Sequence, residues 1–122
     1  MISAGVIFTN DRYPRAFGID GDGLASSDPN EDTLETVVRE GVTIGAGAII
    51  GPGLELGAYS MIGMGSVVTA NVPPHALVYG NPARVRGWVC VCGEPLPSPE
   101  RQADASAACK RCGRARPVTG LQ

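Results

Sequence analysis

The sequence predicts an all-β fold, a parallel β-helix in which turns separate short strands. Every sixth residue is a branched aliphatic over the stretch Val38, Ile44, Ile50, Leu56, Ile62 and Val68. Glycine follows four of them directly, at Gly45, Gly51, Gly57 and Gly63, and small residues lie four places after three, at Ala48, Ser60 and Ser66. Because six is a multiple of two, the aliphatics share one face of short strands, and this period is typical of a parallel β-helix.

Composition agrees with such a coil and excludes several classes of protein. The 122 residues include 17 glycines and 10 prolines but only 18% charged and 5% aromatic residues. A net charge of −2 gives no basic field for nucleic acid, and no Gly-X-Y period indicates collagen. No apolar run reaches the roughly 18 residues of a membrane span, and no signal peptide is visible, so we expect a cytoplasmic protein.

The first nine residues predict one or two strands of the same coil. Ile2 and Phe8 are six apart, and Val6 lies four places after Ile2. The chain therefore begins in mid-coil, where unpaired backbone groups would invite edge pairing. We expect either another element over this end or, preferably, a shortened form of a longer protein.

Residues 10–35 predict a long, polar, acidic loop inserted into the coil. A structureless loop of this length is uncommon in a compact domain and is often functional. Phe8 and Val38 are thirty residues apart, a multiple of six, so the core face resumes in phase after the insertion.

The body of the coil is predicted at residues 36–73, where Pro73-Pro74 ends the pattern because proline cannot donate to a ladder. The short apolar piece A-L-V-Y-G and the turn-rich N-P-A-R-V-R-G-W follow. We therefore divide the chain into a β-helix domain, 1–88, and a cysteine-containing tail, 89–122. Within the tail, residues 95–108 are rich in proline, alanine and charge and predict a mobile loop.

The four cysteines form two close pairs, each ending in Cys-Gly, that sixteen residues separate: Cys90, Cys92, Cys109 and Cys112. In zinc knuckles glycine permits the tight turn and backbone N–H groups face the thiolates. We predict a structural Cys₄ zinc site in a zinc-ribbon-like tail, since four thiolates leave no open position on the metal. Four free thiols are the alternative, and disulfides are disfavoured in the cytosol.

The hexads resemble those of the left-handed β-helix acyltransferases. Two further segments, F-T-N-D-R-Y-P-R-A-F at 8–17 and V-P-P-H-A-L-V-Y-G-N-P-A-R-V-R-G-W at 72–88, resemble sugar-nucleotide N-acetyltransferases. With G-W-V-C-V-C-G-E, the chain looks most like the bacterial enzymes that acetylate the 3-amino group of UDP-2-acetamido-3-amino-2,3-dideoxyglucuronate. Those enzymes carry more coils before the N-D-x-Y-P-R segment, so this chain is shortened relative to them. The resemblance implies a left-handed coil, a homotrimer with active sites between chains, and acetyl-coenzyme A as donor.

The resemblance implies that Asn10 and Asp11 are catalytic. An amine attacking a thioester needs orientation and donors for the developing oxyanion, and an oriented amide such as Asn10 can supply the first. An Asx turn that bonds only the local backbone is the alternative for both residues. Arg12, Tyr13 and Arg15 are candidate substrate-binding residues, because a guanidinium suits a carboxylate or diphosphate. A structural role is the alternative for the arginines.

Ala46 and Met64 are candidate coenzyme-binding residues. They lie eighteen residues apart, so in a coil of eighteen residues they stack about 4.8 Å apart on one edge. Similar enzymes contact coenzyme A through the main chain of such turns and place its phosphates near the stretch that here holds Arg84, with Arg86 as a second candidate. Ordinary turn residues are the alternative. His75, the single histidine, is assigned to a turn without chemistry, and the glycines form neither a phosphate loop nor a calcium loop.

Taken together, these features predict acetyl-coenzyme A-dependent N-acetylation of a nucleotide-linked amino sugar for surface polysaccharide synthesis. An O-acetyltransferase on the same scaffold and an inactive, truncated β-helix that serves as an assembly partner are the alternatives.

Overall fold

The fold is described from a computed structural model, which describes residues 1–98 and 108–115. In these residues the chain forms ten β-strands and no helix. The strands are β1 (Ile7–Phe8), β2 (Val37–Val38), β3 (Thr43–Ile44), β4 (Ile49–Ile50), β5 (Glu55–Leu56), β6 (Met61–Ile62), β7 (Val67–Val68), β8 (Ala76–Gly80), β9 (Ala83–Val89) and β10 (Pro95–Leu96).

Strands eighteen residues apart pair in parallel, so three strands make one turn of the coil. Thr43 pairs with Met61, and Ile49 pairs with Val67. The first face contains β1, β4 and β7, the second contains β2 and β5, and the third contains β3, β6, β8, β9 and β10. The predicted all-β architecture of stacked parallel strands is confirmed.

The predicted aliphatic series fills the interior between the three faces. Ile44, Ile50 and Leu56 are 0% exposed, and the next two members of the series are 1% exposed. Val38 differs, with 38% exposure, because it belongs to the first turn and no described residue packs beyond that turn. The small residues of the hexads, Ala48, Ser60 and Ser66, are buried where the chain bends between faces.

Three corners join the faces, and we name each by its most prominent feature: its glycines, the inserted arm or its aromatic rings. The glycine corner contains 45–48 and 63–66, the arm corner contains 51–54 and 69–71, and the aromatic corner contains 57–60 and 73–75. Close stacking of turns requires glycine at some of these positions. A Cβ on Gly45 would lie 2.5 Å from the Met64 nitrogen of the next turn.

The prediction that Pro73-Pro74 ends the coil is wrong. Beyond the prolines β8 pairs in parallel with β6, and Val78 is buried in the same core. The ladder tolerates the prolines because its bonds come from residues on either side. The Val72 N–H donates to the Glu55 oxygen and the His75 N–H donates to the Ala58 oxygen, both at 2.9 Å. This last turn has sixteen residues, since Met61 pairs with Leu77.

The insertion lies between β1 and β2 at the arm corner. Phe8 pairs with Ile50, a separation of 42 residues, which is 24 more than the ordinary turn of 18. Isolated antiparallel bridges join Asp11 to Thr33 and Phe17 to Leu24. The predicted loop therefore folds back on itself as a narrow arm, most of whose side chains are exposed.

The tail continues the third face. β9 is antiparallel to β8 and crosses the predicted boundary between residues 88 and 89, and β10 is antiparallel to β9. The predicted loop at 95–108 is wrong at its start, where Pro95 and Leu96 form β10. Residues 99–107 of that loop lie outside the described residues. Among the described residues none belongs to a helix that could span a membrane.

Candidate functional site

The arm leaves the coil at Thr9 and Asn10, which we call its base. There the main chain is hydrogen-bonded both to the coil and to the returning part of the arm. The Thr9 N–H and hydroxyl both donate to the Ile50 oxygen, each at 3.0 Å. The Asn10 oxygen accepts from the Leu34 N–H at 2.7 Å. Leu34 packs on Gly53, whose φ of 67° favours glycine at that position and where a Cβ would lie 2.8 Å from the Leu34 Cδ1. The main chain at Asn10 is therefore held in place.

The side chains of Asn10 and Asp11 are exposed at this base. Neither makes a hydrogen bond to another residue of 1–98 or 108–115, so the Asx turn is not formed here. The arm does contain such turns elsewhere: the Asp20 Oδ1 accepts from the Asp22 N–H at 3.0 Å, and Asn30 makes a similar bond. The amide of Asn10 and the carboxylate of Asp11 are thus available to a ligand.

The candidate substrate-binding residues lie in the first half of the arm, which leads away from the coil. The Arg12 N–H joins this half to the returning half by donating to the Asp32 oxygen at 2.9 Å. Its guanidinium carbon lies 5.8 Å from the centre of the Tyr13 ring. Arg12, Tyr13 and Arg15 are all exposed, so this part of the arm presents two cations and one aromatic ring to solvent.

Ala46 and Met64 stack at the glycine corner as their spacing predicts. The Gly65 N–H donates to the Ala46 oxygen at 2.9 Å, so that carbonyl belongs to the ladder of the coil. Met64 is 80% exposed at the surface of the corner. A ligand at this corner would therefore meet the exposed Met64 side chain and the outer main chain.

Arg84 lies in β9 beside a cavity of about 130 Å³ at the end of the coil. Val68, Ala70 and Asn71 line one side of this cavity, and Arg84 and Val85 line the other. The Arg84 guanidinium donates to the Ala83 oxygen at 3.1 Å. The cavity therefore has apolar walls and a cation at its side. Apolar walls suit a flat ring system, and the cation suits a phosphate attached to that ring system.

The guanidinium of Arg86 stacks on an aromatic ring instead of facing the cavity. Its central carbon lies 5.4 Å from the centre of the Tyr79 ring.

Within one chain the candidate residues form two groups. Asn10 and the Arg84 cavity both border the arm corner, on the first and the last turn of the coil. Ala46 and Met64 lie at the glycine corner, across the first face. In a single chain the amide of Asn10 and the residues Ala46 and Met64 therefore belong to different corners of the coil, with the first face between them.

The aromatic corner contains a contact that the sequence reasoning missed. The rings of Tyr59 and His75 stack with centres 5.4 Å apart, and the Tyr59 hydroxyl donates to the Glu40 Oε1 at 3.0 Å. This bond raises the pKa of Tyr59. Tyr59 and His75 have φ of 57° and 61°. Because their sixteen-residue separation departs from the coil period, a regular eighteen-residue repeat would not have paired them.

The four cysteines converge in the tail. Their Sγ atoms all lie within 4.8 Å of one another, with Cys90 and Cys112 at 3.7 Å and Cys92 and Cys109 at 3.7 Å. Cys90 and Cys109 are buried with Leu96 in a small core of their own. The arrangement has the donor atoms and the size of a site for one metal ion.

The thiols of this cluster have different acidities. The backbone N–H groups of Cys112 and then Arg111 lower the pKa of Cys109 to about 6, because they stabilise its thiolate. Burial raises the pKa of Cys90 to about 11.

Comparison with known proteins identifies acetyltransferases as relatives. Residues 35–70 match the family model described as bacterial transferase hexapeptide (six repeats). A dTDP-3-amino-3,6-dideoxy-α-D-galactopyranose 3-N-acetyltransferase of Aneurinibacillus thermoaerophilus is 46% identical over 79 residues, which cover 65% of this chain and 38% of that protein. The chain therefore spans well under half the length of this relative.

Solved structures give the same fold. A maltose O-acetyltransferase from Clostridium difficile 630 has a TM-score of 0.56 and 32% identity, covering 70% of this chain and 42% of its own. A serine acetyltransferase from Brucella abortus strain S19, in complex with coenzyme A, has a TM-score of 0.51 and 32% identity, covering 71% and 28%. The named relatives differ in acceptor, but all of them are acetyltransferases.

Proposed function

We propose that this protein is an acetyl-coenzyme A-dependent N-acetyltransferase whose acceptor is the amino group of a nucleotide-linked sugar. The similarity over 79 residues to a 3-N-acetyltransferase of a dTDP-linked amino sugar is the observation that carries the proposal. A role in making precursors of surface polysaccharides in the cytoplasm follows from such an acceptor. Coenzyme A bound to a related coil supports the donor.

The proposed reaction transfers an acetyl group from sulfur to nitrogen. The amine nitrogen attacks the thioester carbonyl carbon, the C–N bond forms, the C–S bond breaks, and the amine loses one proton. Coenzyme A leaves as a thiolate that gains a proton. Asn10 orients the neutral amine for attack, and Asp11 accepts its proton directly or through water. Their exposed side chains on a fixed main chain suit both roles.

Other residues would bind the two substrates. Arg12 and Arg15 pair with the diphosphate or a sugar carboxylate, and Tyr13 lies against the acceptor. The corner at Ala46 and Met64 contacts the pantetheine arm. Arg84 pairs with a phosphate of coenzyme A while its cavity receives the adenine.

The proposed assembly is a homotrimer of left-handed coils, with each active site formed between two chains. This arrangement would bring the arm of one chain to the glycine corner of its neighbour. Within a single chain the arm and the glycine corner are at different corners of the coil. The outer side of the first face supports an interface. Ile7, Ile49 and Val67 are directly paired neighbours there and form an apolar strip. The second face instead presents Glu55 on its outer side.

A matched pair of lysine substitutions tests the assembly. Ile49 on the first face is 38% exposed, and Val37 on the second face is 40% exposed. We expect Ile49→Lys to sediment as a single chain of 12.6 kDa, because a charge at the interface has no partner. Val37→Lys should sediment at three times that mass. Equal behaviour of the two folded variants would rule out the first face as the interface.

Product analysis tests the activity. Purified protein is incubated with acetyl-coenzyme A and pairs of UDP- and dTDP-linked sugars that carry an amino or a hydroxyl group at the same carbon. Because the chain has four cysteines of its own, products are followed by mass spectrometry and not by a thiol reagent. We expect one acetyl group on the amino sugars alone. Acetylation of only the hydroxy sugars would identify an O-acetyltransferase instead.

The role of Asn10 has a control within the same arm. Asn10→Ala should lower kcat by roughly 100-fold, the typical effect of losing one orienting polar group, with little change in KM for acetyl-coenzyme A. Asp28→Ala removes another exposed polar side chain of the arm and should leave kcat unchanged. Unchanged turnover of a trimeric Asn10→Ala protein would exclude its catalytic role. Absence of coenzyme A binding by calorimetry would favour a non-enzymatic assembly role.

A further inference from the structure

We propose that Cys90, Cys92, Cys109 and Cys112 bind one structural Zn²⁺ ion, and that this zinc-ribbon-like unit fastens the last strands of the coil. The proposal concerns the tail and is independent of the acetyl transfer. It depends on the convergence of the sulfur atoms, on the turns that hold them and on the contacts between the tail and the coil.

The sulfur positions match a tetrahedral site. Zinc–thiolate bonds are about 2.3 Å long, so the sulfur atoms of a regular tetrahedron lie about 3.8 Å apart. Cys90 and Cys112 are separated by 3.7 Å, as are Cys92 and Cys109, and every separation is within 4.8 Å. A two-iron cluster would need the cysteine pairs farther apart, so the site has the size for a single ion.

Each cysteine pair lies in a glycine-closed turn. The Gly93 N–H donates to the Cys90 oxygen at 2.8 Å, and the Gly113 N–H donates to the Cys109 oxygen at 2.9 Å. Both glycines have positive φ, 88° and 72°, which a side chain would disfavour.

The charge around the cluster suits an anionic metal centre. Four thiolates and one Zn²⁺ carry a net charge of −2. The second turn contributes Lys110, Arg111 and Arg114, all exposed around the buried sulfur of Cys109. These cations lower the cost of gathering four thiolates, and the ion displaces the remaining thiol protons.

Several contacts connect this unit to the coil. Immediately before Cys90, the Val89 N–H donates to the His75 oxygen at 2.8 Å, and the His75 Nδ1 lies 3.0 Å from the Val89 oxygen. Trp88 packs against both the coil core and the cysteine core. Gly93 approaches the Met61 side chain of β6. The unit therefore rests on the outer side of the third face.

The cysteine core is too small to order itself. Its buried members among the described residues are Cys90, Leu96 and Cys109. So little apolar surface cannot offset the chain entropy of the tail, and small units of this kind depend on a metal or disulfides. We infer that zinc supplies the missing stability, and that without it β10 and both turns detach from Trp88.

Metal analysis and Trp88 fluorescence test the two parts of the proposal. Protein purified without added metal should contain about one zinc ion per chain, and Co²⁺ exchange should give the absorption of a tetrahedral tetrathiolate. Trp88 is the single tryptophan, so emission reports on its contacts alone. Removing zinc with a chelator should shift the emission to longer wavelength, and restoring zinc should reverse the shift.

Variants separate binding from general misfolding. Cys112→Ser should lose most of the zinc, Cys112→His should keep it because imidazole is also a zinc ligand, and Val91→Ala, which changes an exposed side chain of the first turn, should bind it fully. Iron in place of zinc, two disulfides, or less than about 0.2 zinc per chain would overturn the site. Stoichiometric zinc whose removal leaves Trp88 emission unchanged would overturn the fastening role. None of these measurements depends on acetyl transfer.

Discussion

Two glycines with the same backbone conformation allow one contact of the aromatic corner to be measured. Gly41 and Gly47 both have φ of 71° in turns of the coil. A Cβ on Gly47 meets no atom within 4 Å, whereas a Cβ on Gly41 would overlap the ring of Tyr59. Substituting each glycine by alanine therefore imposes the same backbone strain, but only Gly41→Ala displaces the ring.

The expected magnitudes follow from these surroundings. Alanine in a left-handed conformation costs about 1–2 kcal/mol, and the stiffer unfolded chain returns about 0.4–1 kcal/mol, so Gly47→Ala should destabilise by about 1 kcal/mol. In Gly41→Ala the Tyr59 ring must also leave His75 and Glu40. A stacked ring pair is worth about 0.5–1.5 kcal/mol, and an exposed hydrogen bond adds about 0.5. We expect Gly41→Ala to cost about 1–2 kcal/mol more than Gly47→Ala.

Urea unfolding followed by circular dichroism measures both variants at one protomer concentration, because assembly shifts apparent stability. A double-mutant cycle then isolates the ring. Tyr59→Ala should remove most of the difference between Gly41→Ala and Gly47→Ala, because the obstructing side chain is gone. Equal destabilisation of the two glycine variants, or no coupling between positions 41 and 59, would refute the reasoning.

Two further predictions concern the core and the pH dependence. Leu56→Ala should destabilise by about 2–5 kcal/mol because Leu56 is fully buried. Glu55→Ala removes only an exposed ion pair with Arg39 and should cost at most about 1 kcal/mol in the same urea assay. Similar losses of stability in both variants would contradict the assignment of Leu56 to the interior. The Tyr59 phenol should ionise above its ordinary pKa of 10.0 because it donates to Glu40, so the stability from this bond is complete below pH 10 and is lost as pH rises through the raised pKa. Ultraviolet titration against Tyr59→Phe measures this pKa, and Glu40→Gln should lower it; an unchanged value in Glu40→Gln would contradict the assignment.

The candidate site was only partly predictable. The arm was located from the length and polarity of residues 10–35, and Asn10 and Arg12 came from their resemblance to a known segment. Their catalytic and binding roles stay predictions. What the sequence could not show is that the main chain of Asn10 is bonded on both sides while its amide is left without a partner in the described part of the chain.

The sequence by itself determined the interior of the coil. Side chains alternate along a strand, so a period of six places Ile44, Ile50 and Leu56 on the same side whatever their partners are. The spacing also predicted the stacking of Ala46 on Met64. Residues eighteen apart occupy the same corner of successive turns when each turn has eighteen residues. These features depend on local spacing alone.

Only the tertiary structure decided the features in which the turn length changes or distant segments meet. The last turn has sixteen residues, and this irregularity brings His75 onto Tyr59. The antiparallel return of β9 carries Cys90 across the third face, where Cys112 meets it from 22 residues away. Such contacts depend on the packing of whole strands against the coil, and no periodicity in the amino-acid sequence encodes that packing.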